Sequence, residues 1–233
     1  METTTNNILI IGATSGIGYR LWQHYVSEGH NVAVIGRRKE VLDKMQKDFP
    51  EQTFPICCDI SDLSAINELF RNIPEIFSNI DIAIVCAGVG ELNPELDIDT
   101  ELSTVSVNVQ GWTKMVATLY KLFERQQLGQ LVALTSIGGL QPTPIAPSYS
   151  ASKAFQINYI KALQKKSKNI PIIVTEIRPG LVDTRMAKGE GLFWVMPLDK
   201  VVPMIINAVS RKKKLQIVTT RWCLINWILR HLV

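Results

Sequence analysis

Apolar residues fall in short continuous runs along this chain, separated by longer stretches in which they recur every three or four positions. The runs at residues 8–11, 31–35, 53–58, 80–86, 130–136 and 172–178 have the length and continuity of strands buried on both faces. The stretches between them read as helices, one over 19–28 closed by Gly29 and the longest over 111–126 and 149–167. Such alternation predicts a parallel, doubly wound sheet with helices on both sides, a three-layer α/β/α fold. Both long helices carry apolar residues on more than one side, so each needs two partners. The sheet is one, and a second copy of the chain in a homodimer or homotetramer is the other.

The 233 residues are enough for a single domain with one large core. With 46% hydrophobic and 20% charged residues, the chain is neither disordered nor fibrous, and nothing in it repeats. Its polar start lacks the pattern of a signal peptide, and its longest nearly apolar stretch, 222–229, is far shorter than the roughly 20 residues of a membrane span; a cytoplasmic location is expected. Cys57, Cys58, Cys86 and Cys223 form no C-x-x-C pair, and His24, His30 and His231 are scattered. The cysteines are therefore expected to be reduced, packed thiols, and no catalytic metal is expected. The net charge of +4 is modest, and its densest run, 211–214, ends a predicted helix, where cations meet the negative end of the helix dipole. A solvated face explains it without nucleic acid.

Gly12-Ala13-Thr14-Ser15-Gly16-Ile17-Gly18 follows the first strand and opens the first helix. Glycines there allow a tight turn and close approach to a pyrophosphate, and the helix N-terminus offers unpaired N–H groups. The second strand ends in Gly36-Arg37-Arg38, with no acid to hold a ribose 2′-hydroxyl. Guanidinium groups at that place suit a 2′-phosphate, so NADP(H) is expected in preference to NAD(H). The other reading is that both arginines simply begin a solvated helix.

Tyr149 and Lys153 lie four residues apart on one helical face, where a cation can favour the phenolate. Tyr-x-x-x-Lys alone is common on helix surfaces. Here Ser136 precedes it at the end of a predicted strand, and Asn108 follows the apolar positions Val105 and Val107. In this order the chain resembles the short-chain dehydrogenase/reductase superfamily, through the glycine turn, Cys86-Ala87-Gly88, Asn108, Ser136, Tyr149 to Lys153 and Pro179-Gly180.

The resemblance implies a single Rossmann-type domain over 1–233 and an NADP(H)-dependent oxidoreductase acting on a carbonyl or alcohol. It implies that Tyr149 gives a proton to the carbonyl oxygen, Ser136 holds that oxygen, Lys153 tunes Tyr149 and binds the nicotinamide ribose, and Asn108 positions a water of the proton relay. It also places Gly12, Thr14, Ser15, Gly16, Ile17, Gly18, Arg37 and Arg38 on the cofactor, Asp59 and Ile60 near the adenine, Ala87 and Gly88 along the cofactor, and Pro179, Gly180, Val182 and Thr184 beside the nicotinamide. Two positions depart from the family pattern. Val85-Cys86 stands where Asn-Asn is frequent, and Ile11 where Thr is frequent; both bear on hydrogen bonds that steady the strand ends.

After Thr184 the resemblance implies a substrate lid, residues 185–197, whose apolar cluster would suit a lipophilic carbonyl or alcohol substrate or else a packed contact. Residues 222–233 form an apolar tail that wants burial, in an oligomer interface or against the lid, with peripheral membrane contact as the alternative. A different class of function on the same residues is an NADPH-binding redox sensor or interaction protein. It would need the cofactor end but not Tyr149, Lys153, Ser136 and Asn108 together.

Overall fold

The computed structural model describes residues 5–184, 194–219 and 222. The strands β1 (Asn7–Ile11), β2 (Asn31–Gly36), β3 (Thr53–Cys57), β4 (Ile82–Val85), β5 (Gly129–Leu134), β6 (Ile172–Pro179) and β7 (Leu215–Val218) form one sheet in the order β3-β2-β1-β4-β5-β6-β7. Every pairing in it is parallel. The helices between them are α1 (Gly16–Ser27), α2 (Lys39–Asp48), α3 (Leu63–Ile76), α4 (Ile98–Val105), α5 (Trp112–Gln126), α6 (Pro147–Lys166) and α7 (Leu198–Ser210). A π-helical segment, Ser106–Gly111, joins α4 to α5.

Alternate strand residues serve opposite layers, as the two-residue period of a strand requires. Leu9, Ile11, Ala33, Ile35, Ala83, Val85, Leu131 and Ala133 pack with α3, α5 and α6. Ile8, Ile10, Val32, Val34, Ile84, Val132 and Ile177 pack with α1, α2 and α7. Burial on both faces explains why these strands read as continuous apolar runs. The chain leaves β1 in one direction along the sheet and returns through β4 in the other, so a crevice opens at the carboxyl ends of β1 and β4, where doubly wound sheets bind ligands.

Several boundaries differ from the expectation. α1 begins inside the glycine turn, at Gly16, because a helix's first turn needs no preceding carbonyls. β4 is shorter than the apolar run around it, and β5 stops at Leu134, so Ser136 lies beyond the strand. β7 was not evident: four residues interrupted by Gln216, three of them only half-buried, make too weak a run. Cys58 is buried, but Cys57 is exposed rather than packed.

The apolar side chains of α5 bury on one side, while Phe155 of α6 is exposed beside a cluster of aromatic rings with Trp112 and Tyr159. Further large exposed apolar residues, Leu92, Leu96, Ile98 and Leu102, belong to α4 and the loop before it. Ile145, also exposed, is tied to that loop by its carbonyl, which accepts from Asn93 N at 2.7 Å. Residues 185–193 of the expected lid, and the expected tail apart from Trp222, lie outside the described residues.

Candidate active site

The crevice is a cavity of about 1070 Å³, larger than the roughly 300–1,000 Å³ of a drug-sized pocket. The glycine turn forms one wall. Gly12 sits at φ +86°, and a Cβ on it would lie 2.6 Å from Ala87 N; a Cβ on Gly18 would lie 2.4 Å from Gly12 O. Only glycine lets the turn lie this close to β4 and to its own helix. Ser15 precedes α1 without a side-chain cap, and the first turn of α1 carries no acid, so its amide groups face the cavity's polar end without an internal counter-charge. The strand ends are steadied by backbone bonds: Gly12 N and Ala13 N donate to Ile35 O, and Cys86 N donates to Ile11 O at 2.8 Å. Thus Ile11 and Cys86 need no polar side chain to fix this geometry.

At the far end, Arg38 donates from Nε and Nη2 to Thr14 Oγ1, and Arg37 makes a 3.5 Å ion pair with Asp59. Burial would raise the Asp59 carboxyl, but donors from Ser61 and the Arg37 charge outweigh it and hold the group below its ordinary range. Ile60 lines the cavity beside it.

At the near end, Ser136 caps a short 3-10 turn, its Oγ accepting from Gly138 N at 3.0 Å, and shares a hydrogen bond with the Tyr149 side chain. Lys153 Nζ lies 5.9 Å from the centre of the Tyr149 ring. Burial pushes the lysine down to about 8, with Cys86 pulling the other way. Burial also raises Tyr149, and the Ser136 bond offsets this only in part. That direction is opposite to the expected lowering by the lysine, because desolvation of the buried phenol is the larger effect.

Asn108 is fully buried in the π-helical segment. Its side chain clasps the chain after Gly88, accepting from Val89 N at 2.9 Å and donating to Val89 O at 2.7 Å and to Ser152 Oγ at 3.1 Å. Its carbonyl accepts from Gln156 Nε2 at 2.8 Å. Gly111, at the end of this segment, meets the β3–α3 loop so closely that a Cβ there would sit 1.9 Å from Ile60 O.

Residues 6–192 match the short chain dehydrogenase family. The chain belongs to it. Among this family member's relatives is an NADP-dependent 3-hydroxy acid dehydrogenase of Escherichia coli, 29% identical over 75% of this chain and 72% of that protein. Another is the human inactive hydroxysteroid dehydrogenase-like protein 1, 29% identical over 83% of this chain and 62% of that protein. Among solved structures, an actinorhodin polyketide ketoreductase with NADPH is 29% identical, covers 78% of this chain and 73% of its own, and superposes with a TM-score of 0.73.

The cavity of this dehydrogenase family member brings together nearly all the residues singled out in its sequence. Gly12, Thr14, Ser15, Gly16, Ile17, Gly18, Arg37, Arg38, Asp59, Ile60, Ala87, Gly88, Ser136, Tyr149, Lys153, Pro179, Gly180, Val182 and Thr184 line it, and Asn108 sits behind the wall. Two contributors went unread in the sequence, and a third, Trp222, was read only as the start of an apolar tail. Glu101 of α4 accepts from Ser148 N at the start of α6, Trp222 packs on Gly180, and Gln156 reaches Lys153. Of the two unread residues, only Gln156 left a signal, since Tyr149, Lys153 and Gln156 share a helical face at i, i+4 and i+7.

Proposed function

We propose that this chain is an oxidoreductase that reduces a ketone, aldehyde or 3-oxoacyl group to the alcohol with NADPH, reversibly. The observation that carries this reading is the placement of Ser136, Tyr149 and Lys153 at one end of a cavity whose other end holds Arg37 and Arg38. A dinucleotide fits the residues between: the close-packed glycines, the unopposed N-terminus of α1 and the two guanidinium groups favour a pyrophosphate and a 2′-phosphate. The names of the E. coli dehydrogenase and the ketoreductase support the same cofactor and a hydroxy or keto substrate.

When bound, the reduced nicotinamide supplies hydride to the carbonyl carbon. The protein's own groups handle the oxygen. Tyr149 Oη gives it a proton, and Ser136 Oγ, already hydrogen-bonded to Tyr149, is within reach to hold it. A raised Tyr149 stays protonated at neutral pH, which suits a general acid in the reductive direction. Lys153 keeps positive charge beside the forming phenolate and would offer N–H groups to the ribose hydroxyls of a bound cofactor. Pro142, Leu181, Val182 and Trp222 give the near end an apolar wall that fits a lipophilic substrate. Oligomerisation through the exposed apolar face of α4 and α6 belongs to the same reading.

One observation favours a second reading, an NADPH-binding sensor or interaction protein: the likeness to a human relative called inactive. The test is to incubate the protein with NADPH or NADH and a panel of ketones, aldehydes and 3-oxoacyl thioesters, and to identify the product. One alcohol formed per NADPH consumed supports the reductase. Tight NADPH binding with no product from any compound moves weight to the sensor.

A further inference from the structure

Gln156 is fully buried on the face of α6 that carries Tyr149 and Lys153. Its Oε1 accepts from Lys153 Nζ at 2.9 Å, and its Nε2 donates to the Asn108 carbonyl at 2.8 Å. The orientation of the amide is forced, because an ammonium can only donate and a carbonyl can only accept. We propose that Gln156 is a positioning residue of the active site, a carboxamide built in as the fixed link between Lys153 Nζ and the Asn108 carbonyl. This rests on the reductase reading above.

The link has chemical consequences. A water in that place would turn and exchange, whereas the amide is anchored by its own helix and presents a fixed dipole with its oxygen towards the ammonium. One of the three N–H groups of Lys153 is thereby committed, and the other two are left for the cavity. Gly88 keeps the space over them open, since a Cβ there would come within 3.4 Å of Nζ and 3.3 Å of Asn108 Oδ1. The titratable groups facing Nζ are Tyr149 on its own helix and Cys86 at the end of β4; burial keeps both neutral at neutral pH. Gln156 Oε1 is thus the polar atom that offsets the burial of this charge from behind. A neutral amide also keeps its N–H hydrogens, so it does not pass protons from the Asn108 side. The Asn108 carbonyl, where the family resemblance would place a relay water, already accepts from Gln156 Nε2.

The test compares Gln156→Leu with Gln156→Ala in the full chain. Leucine fills the space but gives no hydrogen bond; alanine opens a small polar void lined by Nζ and a carbonyl, in which a water can sit. If the link is polar, leucine is the worse substitution. It lowers kcat by roughly tenfold to a hundredfold, as expected for losing a hydrogen bond to a charged group. It also moves the alkaline limb of kcat/KM to lower pH, with alanine between it and the wild type. If Gln156 merely fills space, alanine is worse and the limb stays put, which overturns the proposal. Should the leucine variant not fold, Gln156→Met takes its place.

The pH dependence of NADPH affinity, read by nucleotide fluorescence, gives the answer without turnover. Affinity lost at lower pH in Gln156→Leu than in the wild type supports the link, and identical profiles refute it. If the wild type reduces no carbonyl, the reductase reading fails, and this titration still decides the role of Gln156 at Lys153.

Discussion

The Arg38 guanidinium holds Thr14 Oγ1 from two nitrogens, Nε at 3.2 Å and Nη2 at 2.9 Å, fastening the end of β2 to the glycine turn. The charge is thereby pre-positioned at the polar end of the cavity. Arg38→Ala is expected to raise the Kd for NADPH by roughly tenfold to a hundredfold, the range for charge-assisted hydrogen bonds, and to change NADH binding far less. Fluorescence titration with both nucleotides checks this; an equal loss for the two would remove the arginine from 2′-phosphate recognition.

Lys153 carries a pH signature. Burial brings it down from 10.5 to about 8, so the folded state releases this proton before the unfolded chain does. Between those values the unfolded state binds more protons, and stability gains with rising pH. Lys153→Met abolishes the contribution. The stability of the wild type relative to this variant is therefore expected to improve on going from pH 8 to 10.5, by about 3 kcal/mol at most. Denaturant unfolding of both proteins across this range measures it, and a constant difference would mean that Lys153 titrates normally.

Glu101 joins α4 to α6. Its carboxylate accepts from Ser148 N at 3.0 Å and from Asn93 Nδ2 at 2.8 Å, and so serves as an N-terminal cap for α6 one residue before Tyr149. Replacing it with alanine is expected to cost about 1 kcal/mol, a fall in Tm of roughly 2–4 °C for a chain of this size. Calorimetry decides; an unchanged Tm would show that solvent caps the helix equally well.

Gly111 meets the Ile60 carbonyl so closely that a Cβ has no room. Gly111→Ala must displace either the π-helical segment or the loop carrying Asp59 and Ile60, at a cost of about 3 kcal/mol or more. A soluble variant of near wild-type stability would show that this contact yields easily.

The sequence revealed most where one residue type answers one local need. Continuous apolar runs mark strands buried on both faces, and Gly12 and Gly18 mark places where no side chain fits. Tyr149 and Lys153 were legible because helical spacing alone puts them on one face. Asn108 and Ser136 became legible only through the family's order of residues, because contacts between β5, α6 and the π-helical segment are long-range. Gln156 and Glu101 show the limit. Gln156 shares the helical face of Tyr149, but its partner Asn108 lies 48 positions away. The rise in Tyr149 was missed because spacing gives no measure of desolvation.

The central claim is that Tyr149 donates the proton in a reduction driven by NADPH. Its most direct test is to measure, for wild type and Tyr149→Phe together, the Kd for NADPH and the rate of carbonyl reduction with one active substrate. Similar affinities are expected, with a loss of turnover on the order of a hundredfold to ten-thousandfold. Turnover retained in Tyr149→Phe, with NADPH still bound, would contradict it.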